Sequence, residues 1–342
     1  MLKRKIIDCC DLKPSDERFE VIGAFNPAVV SVGGTTYMIL RVAEKAKQTK
    51  KGSFLVPYFK PDKGLDILSI PLNEDYDFSD VRVIRRKNEF YLTSMSHFRI
   101  GRSSDGINFD FSENICIFPQ TDYEEYGIED ARITAAEGVF YVTYTAVNRK
   151  GTFVALMTTK DFRHFERKGV LFSRDDKDCV IFPDKINGKY YAMHRPSTEE
   201  NQTLDIFTAE SDDLINWTSL GALTGARLDF TSSARLGAGA VPIKTEKGYL
   251  EIYHSADENN RYFLAAMLLD PSDPTKVLAK SKSPLIEPTK DYEKTGFVNE
   301  VVFTCGLTKT DDALNIYYGV CDLGVAVAYV PMSKVWDNME VK

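Results

Sequence analysis

The sequence predicts an all-β chain folded as a five-bladed β-propeller. Strand-like hairpins recur along its whole length. A short motif of a small polar residue, Asp, and an aromatic four residues beyond that Asp returns at Asp105, Asp161 and Asp213. The aromatic share is 12%, with 17 Tyr and 21 Phe, residue types that suit pleated surfaces. Several strands per repeat at intervals of about 50 residues is the spacing of propeller blades. No stretch carries a helical apolar period of useful length.

The hairpins run in order as follows. Val29–Val32 and Thr36–Arg41 flank Gly33-Gly34, a tight-turn signal. Val81–Ile84 and Phe90–Ser94 flank Lys87-Asn88. Ala131–Thr134 precedes Gly138–Thr145. Cys179–Pro183 and Tyr190–Arg195 flank Asn187-Gly188, and Gly239–Ile243 and Tyr249–His254 flank Glu246–Gly248. The last pair is Glu300–Thr304 and Leu314–Gly319 around Asp311-Asp312. The trailing motifs are Ser103–Phe109, Thr159–Phe165 and Ser211–Trp217, whose aspartates are expected to make local turn hydrogen bonds rather than bind calcium. With no linker rich in Pro, Gly or Ser, residues 1–342 read as a single domain with short terminal extensions, the N-terminal strands closing against the C-terminus.

Composition excludes several classes. A formal charge of −7 and no basic stripe argue against nucleic acid. No run approaches the roughly 20 apolar residues of a membrane span, and the basic start Met1–Asp8 has no apolar run of signal length. Six cysteines without zinc spacing fit reduced thiols in a cytoplasmic protein. No metal site is expected. The charged loop Glu44–Lys51 reads as a solvated excursion; it and the tail around Trp336 are candidate contacts for a homo-oligomer.

Tyr126–Thr134 concentrates the chemistry. Side chains alternate along a strand, so an extended segment separates Glu129 from Asp130 and places Asp130 beside Arg132. Equivalent hairpin ends converge on a propeller channel and nominate Arg41, Ser94, Asp130, Arg195, His254 and Asp322, with His97 and Arg99 close to Ser94. Gly and Ala around Arg235, in Ser233–Ala240, would allow close approach by a ligand. Arg195, Arg235 and His254 could together bind an oxyanion, since arginine forks suit phosphate oxygens. Lys177 could add to them, although the acids beside it compete for it.

Nearly the whole chain resembles glycoside hydrolase family 130, the β-mannoside phosphorylases and mannosidases. The stretches that carry the resemblance include Asn26–Val29, Arg41–Glu44, Gly127–Thr134, Phe182–Tyr190, His194–Pro196, Gly237–Ile243, Val301–Gly306 and Tyr317–Asp322. The resemblance implies a five-bladed propeller and assigns Asp130 as general acid, acting through the mannose 3-hydroxyl. It implies phosphate held by Arg195, Arg235 and His254, and a mannosyl unit held by Asn26, Arg41, Arg132 and Asp322. Inorganic phosphate is then a co-substrate and no cofactor is needed. An inverting glycosidase needs a second carboxylate to activate water; a phosphorylase replaces it with a bound anion. The expected reaction is inverting phosphorolysis of a β-mannoside, with β-1,2-mannobiose or β-1,2-oligomannan as the expected substrate, giving α-mannose 1-phosphate. Asp175, Asp176 and Glu300 depart from the phosphorylase pattern and keep a β-1,2-mannosidase open as the alternative. A carbohydrate-binding propeller without turnover is the third reading.

Overall fold

The structure is a computed structural model that describes residues 1–173, 175–197, 203–228 and 233–341. Among the described residues it is built mainly of antiparallel strands, with two short α-helices, Asp291–Lys294 and Met332–Asp337, and two 3-10 turns, Cys9–Asp11 and Asp122–Glu124. Among the described residues no helix is long and apolar enough to cross a membrane. All six cysteines are free.

The strands fall into consecutive groups of four. Phe19–Val32, Thr35–Ala46, Ser94–Ser103 and Cys116–Ile117 form the first. Gly127–Ala136, Val139–Asn148, Gly151–Thr159 and Phe165–Phe172 form the second, joined to the first by one parallel pair, Gly127 with Ser96. The third contains Asp176–Ile181, Tyr190–Pro196, Phe207–Ser211 and Trp217–Ala222. The fourth contains Ser233–Gly237, Gly248–Asp257, Tyr262–Leu269 and Val277–Ser281, extended by Ile243–Thr245 and Met339–Val341. In the fifth, Val302–Lys309, Ala313–Val320 and Gly324–Pro331 take up Leu2–Asp8 as the outer strand. The start of the chain thus completes the sheet made by its end.

Neighbouring groups pack in cyclic order. Phe19–Val32 touches both Val302–Lys309 and Gly127–Ala136, Gly127–Ala136 touches Asp176–Ile181, Tyr190–Pro196 touches Ser233–Gly237, and Gly248–Asp257 touches Val302–Lys309. The large apolar clusters lie between these neighbours. Phe98, Ile128 and Tyr144 lie between the first and second groups, Leu156, Cys179 and Ile181 between the second and third, and Met193, Leu236 and Tyr253 between the third and fourth. Ile252, Leu264, Val302 and Tyr318 fill the next interface, and Met38, Leu40, Tyr317 and Val325 the one after it. Strands buried on both faces carry near-continuous apolar runs, which is why the pattern Ile-Tyr-Tyr-Gly-Val reads as strand with no polar alternation.

The turn motifs behave as their composition predicts. Asp105 accepts from the backbone N–H groups of Ile107 and Asn108, Asp161 from Arg163 and His164, and Asp213 from Ile215 and Asn216. One expectation needs correcting. The hairpin at Val81–Ser94 does not belong to a large sheet except at Ser94, which opens the strand Ser94–Ser103. Val83–Arg86 is the central strand of a separate three-stranded sheet, paired with Asp77–Asp80 on one side and Glu89–Leu92 on the other, beside the two-stranded Ser53–Lys60 and Gly64–Pro71. These two small sheets share a cluster of Val56, Ile70 and Ile84 and form an excursion between two strands of the first group. Nor is Glu44 solvated. It is 3% exposed and accepts from Ser15 and Arg99. Trp336 packs against the apolar cluster between the fourth and fifth groups, with the Lys247 ammonium 4.7 Å from its ring.

Candidate active site

The first strand of every group is irregular at the site. Ladder registers shift between Phe25 and Ala28, Glu129 and Arg132, Lys177 and Val180, Ser233 and Arg235, and Thr304 and Gly306. Such bulges re-aim side chains. Three of them place Asn26, Asp130 and Asp178 at φ values of 48°, 49° and 56°, a left-handed conformation that Asn and Asp tolerate better than other side chains. The strict alternation expected along Tyr126–Thr134 is therefore broken. Glu129 and Asp130 do share a side, and Arg132 turns elsewhere.

Arg41 is the centre of the first cluster. Its Nη1 donates to Asp130 Oδ1 at 2.8 Å, its Nη2 to Glu129 Oε1 at 2.8 Å, and its Nε to Ser96 Oγ at 2.9 Å. Asn26 Nδ2 donates to the same Asp130 oxygen at 2.9 Å. Asn26 can sit there because Gly319 has no side chain; a Cβ would lie 2.1 Å from Asn26 Oδ1. Glu129, Arg41, Ser94 and Asp322 line a cleft of about 260 Å³ whose outer wall is Arg82, Val83 and Leu92 from the small three-stranded sheet, with Phe297.

Asp178 is the centre of the second cluster, and the sequence reading missed it. Its Oδ2 accepts from Arg195 Nε at 2.9 Å and Nη2 at 2.8 Å, and lies 3.3 Å from His254 Nε2; its Oδ1 accepts from Arg132 Nη2 at 3.1 Å. Gly237 leaves the room that this needs, since a Cβ there would lie 2.2 Å from His254 Nε2 and 2.4 Å from Asp178 Oδ2. Gly237, in the run near Arg235, thus makes space for the protein's own side chains. Arg235 stacks over Tyr262, 5.2 Å from its centroid, and that ring lies 6.1 Å from His254. Lys177 is the ladder partner of Arg195 and attracts the Glu129 carboxylate. Two buried nitrogens here, Arg235 Nε and His254 Nδ1, have no hydrogen-bond partner among the described residues.

Arg132 joins the two clusters. It is 1% exposed and donates from Nη1 to the Asp130 carbonyl, from Nη2 to Asp178 and the Ala238 carbonyl, and from Nε to the Gly239 carbonyl. One buried guanidinium therefore fixes the backbone of Asp130 against the carboxylate that gathers the cations. Arg132, expected to contact sugar, is buried and directs four hydrogen bonds at protein acceptors. His97 and Arg99 are likewise structural, His97 accepting from Arg99 and stacking on Phe118 at 4.6 Å. Among the described residues no group of His, Cys, Asp and Glu is placed to hold a metal ion.

A carboxylate-bearing cleft beside gathered cations is the arrangement the resemblance anticipates. The family profile described as beta-1,4-mannooligosaccharide phosphorylase matches residues 76–341. The chain belongs to glycoside hydrolase family 130. A beta-1,2-mannobiose phosphorylase of Listeria innocua is 45% identical over 343 residues, covering 98% of this chain and 97% of that one. A 1,2-beta-oligomannan phosphorylase of Thermoanaerobacter sp. is 40% identical over 68% of this chain and 78% of its own. The solved complex of the Listeria innocua beta-1,2-mannobiose phosphorylase with beta-1,2-mannobiose superposes with a TM-score of 0.92 at 43% identity over 99% of both chains.

In this family 130 site the three carboxylates around Arg41 differ in proton affinity. Burial pushes Asp130 up, but Arg41, Arg132 and Asn26 together hold it below the usual range. Burial raises Glu129, and the Asp130 charge adds to that effect against Arg41 and Lys177. Asp322 is pushed up to about 6 by burial and by Asp130 and Glu129, against Arg41. The folded state thus holds the Asp322 proton more tightly than the unfolded chain does. This contribution to stability is fully present below about pH 4 and is lost as pH rises through about 6, a difference on the order of 3 kcal/mol. Asp322→Asn should therefore raise the melting temperature at neutral pH and leave it nearly unchanged near pH 4. Equal shifts at both pH values in a thermal melt would contradict this.

Two of the carboxylates that kept hydrolysis open have defined surroundings. Asp176 is buried against His194, its Oδ2 2.7 Å from Nδ1. Glu300 is exposed, and its carbonyl accepts from the Tyr262 N–H at 2.9 Å.

Proposed function

We propose that the chain is an inverting phosphorylase of β-1,2-mannosides that converts β-1,2-mannobiose or β-1,2-oligomannan to α-mannose 1-phosphate. The observation that carries this is the link, through Arg132, between Asp130 and a cation cluster whose Arg235 Nε and His254 Nδ1 have no hydrogen-bond partner among the described residues. Arg132 and Arg195 pair with one carboxylate, Asp178, which also faces His254, and Arg235 stacks over the Tyr262 ring beside that histidine; gathered cations favour an oxyanion. Near-full-length similarity to a beta-1,2-mannobiose phosphorylase supports the linkage.

The five groups of strands are, in this proposal, the blades of a single-domain five-bladed propeller. Their cyclic packing and the completion of the last sheet by Leu2–Asp8 support that reading. The mannosyl unit sits in the cleft against Asn26, Arg41, Ser94 and Asp322, and Asp130 is the general acid acting through the mannose 3-hydroxyl. Phosphate, held by Arg195, Arg235, His254 and Lys177, attacks the anomeric carbon from the opposite face. Free Asp130 is kept ionised by Arg41 and Asn26, so it must gain a proton as sugar enters. Glu129 shares Arg41 with it and, together with Asp322, binds protons more tightly, giving the cleft a local store. A substrate hydroxyl that replaces the Asn26 contact removes one of the bonds that hold Asp130 ionised. Phosphorolysis conserves bond energy as a sugar phosphate, which suits a cytoplasmic enzyme.

Linkage and stereochemistry are testable together. With phosphate present, β-1,2-mannobiose should give α-mannose 1-phosphate and mannose, followed by phosphorus and proton NMR, and β-1,4-mannobiose should react far more slowly. A β-configured sugar phosphate, or preference for the β-1,4 linkage, would refute the proposal.

A further inference from the structure

The phosphorolytic reading leaves one proton without a destination. Hydrogenphosphate attacks, the bond from phosphate oxygen to the anomeric carbon forms, and the glycosidic C–O bond breaks. The leaving sugar oxygen takes its proton from the acid. The nucleophile still carries its own P–O–H proton, which must leave to give the sugar phosphate dianion. A basic group beside the phosphate can receive it in the site, ahead of release to water.

Resting on that reading, we propose that His254, oriented by Asp178, is the base that receives the phosphate proton at Nδ1. The geometry sets the tautomer. Nε2 lies 3.3 Å from Asp178 Oδ2, and a carboxylate there accepts, so Nε2 carries the hydrogen and Nδ1 presents a lone pair. That Nδ1 is buried and has no partner among the described residues. The imidazole is 1% exposed and fixed by packing, with the Phe303 ring 4.1 Å away and Tyr262 at 6.1 Å. Because Gly237 is its ladder partner, no side chain intervenes between the ring and Asp178.

The surrounding charges suit a base that is neutral at rest and tolerates a proton in the transition state. Asp178 faces His254 from Asp176–Ile181, Arg195 from Tyr190–Pro196, Arg132 from Gly127–Ala136, and Arg235 with Tyr262 completes the neighbourhood. Burial, Arg195 and Arg132 favour the uncharged ring, while Asp178 works against them. Asp178 is itself held ionised by Arg195 and Arg132, so it stays a carboxylate and stabilises the imidazolium as it forms. The same division of labour operates in hydrolytic triads, where a buried Asp orients His and does not take the proton. After the sugar phosphate leaves, the imidazolium returns its proton to water and Asp130 regains one, so the cycle balances. In the reverse direction the imidazolium would return that proton to phosphate.

The test separates a base from a mere phosphate ligand. His254→Asn keeps an amide near the Nδ1 position that can hydrogen-bond phosphate but cannot take its proton. Once phosphate-dependent turnover of the unaltered enzyme is established, the variant should lose about 100-fold or more in kcat at saturating phosphate, with KM for phosphate changed far less. The unaltered enzyme should show an acidic limb in kcat against pH, and the variant should lack it. Retained kcat with a raised KM for phosphate would overturn the proposal and leave His254 as a ligand. Should the variant not fold by circular dichroism, the profile of the unaltered enzyme decides: a kcat that stays flat into the acid range excludes the base. Turnover that does not need phosphate would instead refute the phosphorolytic reading itself, and the base with it.

Discussion

Asp130→Asn should lower phosphorolysis by about 100- to 10,000-fold, the usual worth of general acid catalysis, with the fold intact by circular dichroism. The substitution keeps the shape and an oxygen for Arg41 or Asn26, so its loss reports the proton rather than the scaffold. The neighbouring acid makes the comparison informative. Glu129 sits on the same Arg41 and binds a proton more tightly than Asp130 in the free site. A rule that assigns the acid role to the higher-affinity member of such a pair would choose Glu129. The family resemblance chooses Asp130, which also accepts from Asn26 and is tied to the cation cluster through the Arg132 bond to its carbonyl. Glu129→Gln preserves an acceptor for Arg41 and should cost less than about tenfold. If steady-state kinetics show the larger loss in Glu129→Gln, the two roles are exchanged.

Asp178→Ala should be the most destabilising single change at the site, by about 3–5 kcal/mol, because it strands buried cations without their counter-charge. Asp178 and Arg132 are 2% and 1% exposed at the side chain, and Arg195 is 8% exposed. Removing the carboxylate leaves Arg132 and Arg195 close together, with His254 beside them and little water to screen them. Urea denaturation measures the effect directly, and added phosphate should restore part of the stability by occupying the vacated charge site. A loss below about 1 kcal/mol would mean that the cations relax outward and that Asp178 does not gather them.

Much of the fold was legible in the sequence because the strands announce themselves. Gly33-Gly34 and Asn187-Gly188 mark turns that the structure places between paired strands, and the Asp105, Asp161 and Asp213 motifs mark turns at strand ends. The hairpin at Val81–Ser94 misled because a turn signal between two apolar runs says nothing about which sheet they join. The site was legible by residue type but not by direction. Alternation assumes a regular ladder, and the bulge between Glu129 and Arg132 reverses the outcome at the residues where it matters. The signal was present: Asn26, Asp130 and Asp178 are small polar residues of the kind that accept a left-handed backbone, each at the irregular point of an inner strand. Asp178 escaped notice because it lies in an acidic run beside Lys177, where solvated pairing was the simplest reading. Only the convergence of separate strands reveals that it serves Arg132, Arg195 and His254 instead.

The central claim is that phosphate, not water, reaches the anomeric carbon. Purified enzyme is incubated with β-1,2-mannobiose with and without inorganic phosphate, and mannose and mannose 1-phosphate are quantified. Strict dependence on phosphate, with one sugar phosphate formed for each mannose released, is the predicted result. Mannose released equally fast without phosphate, and no sugar phosphate with it, would contradict the account and make the enzyme a hydrolase.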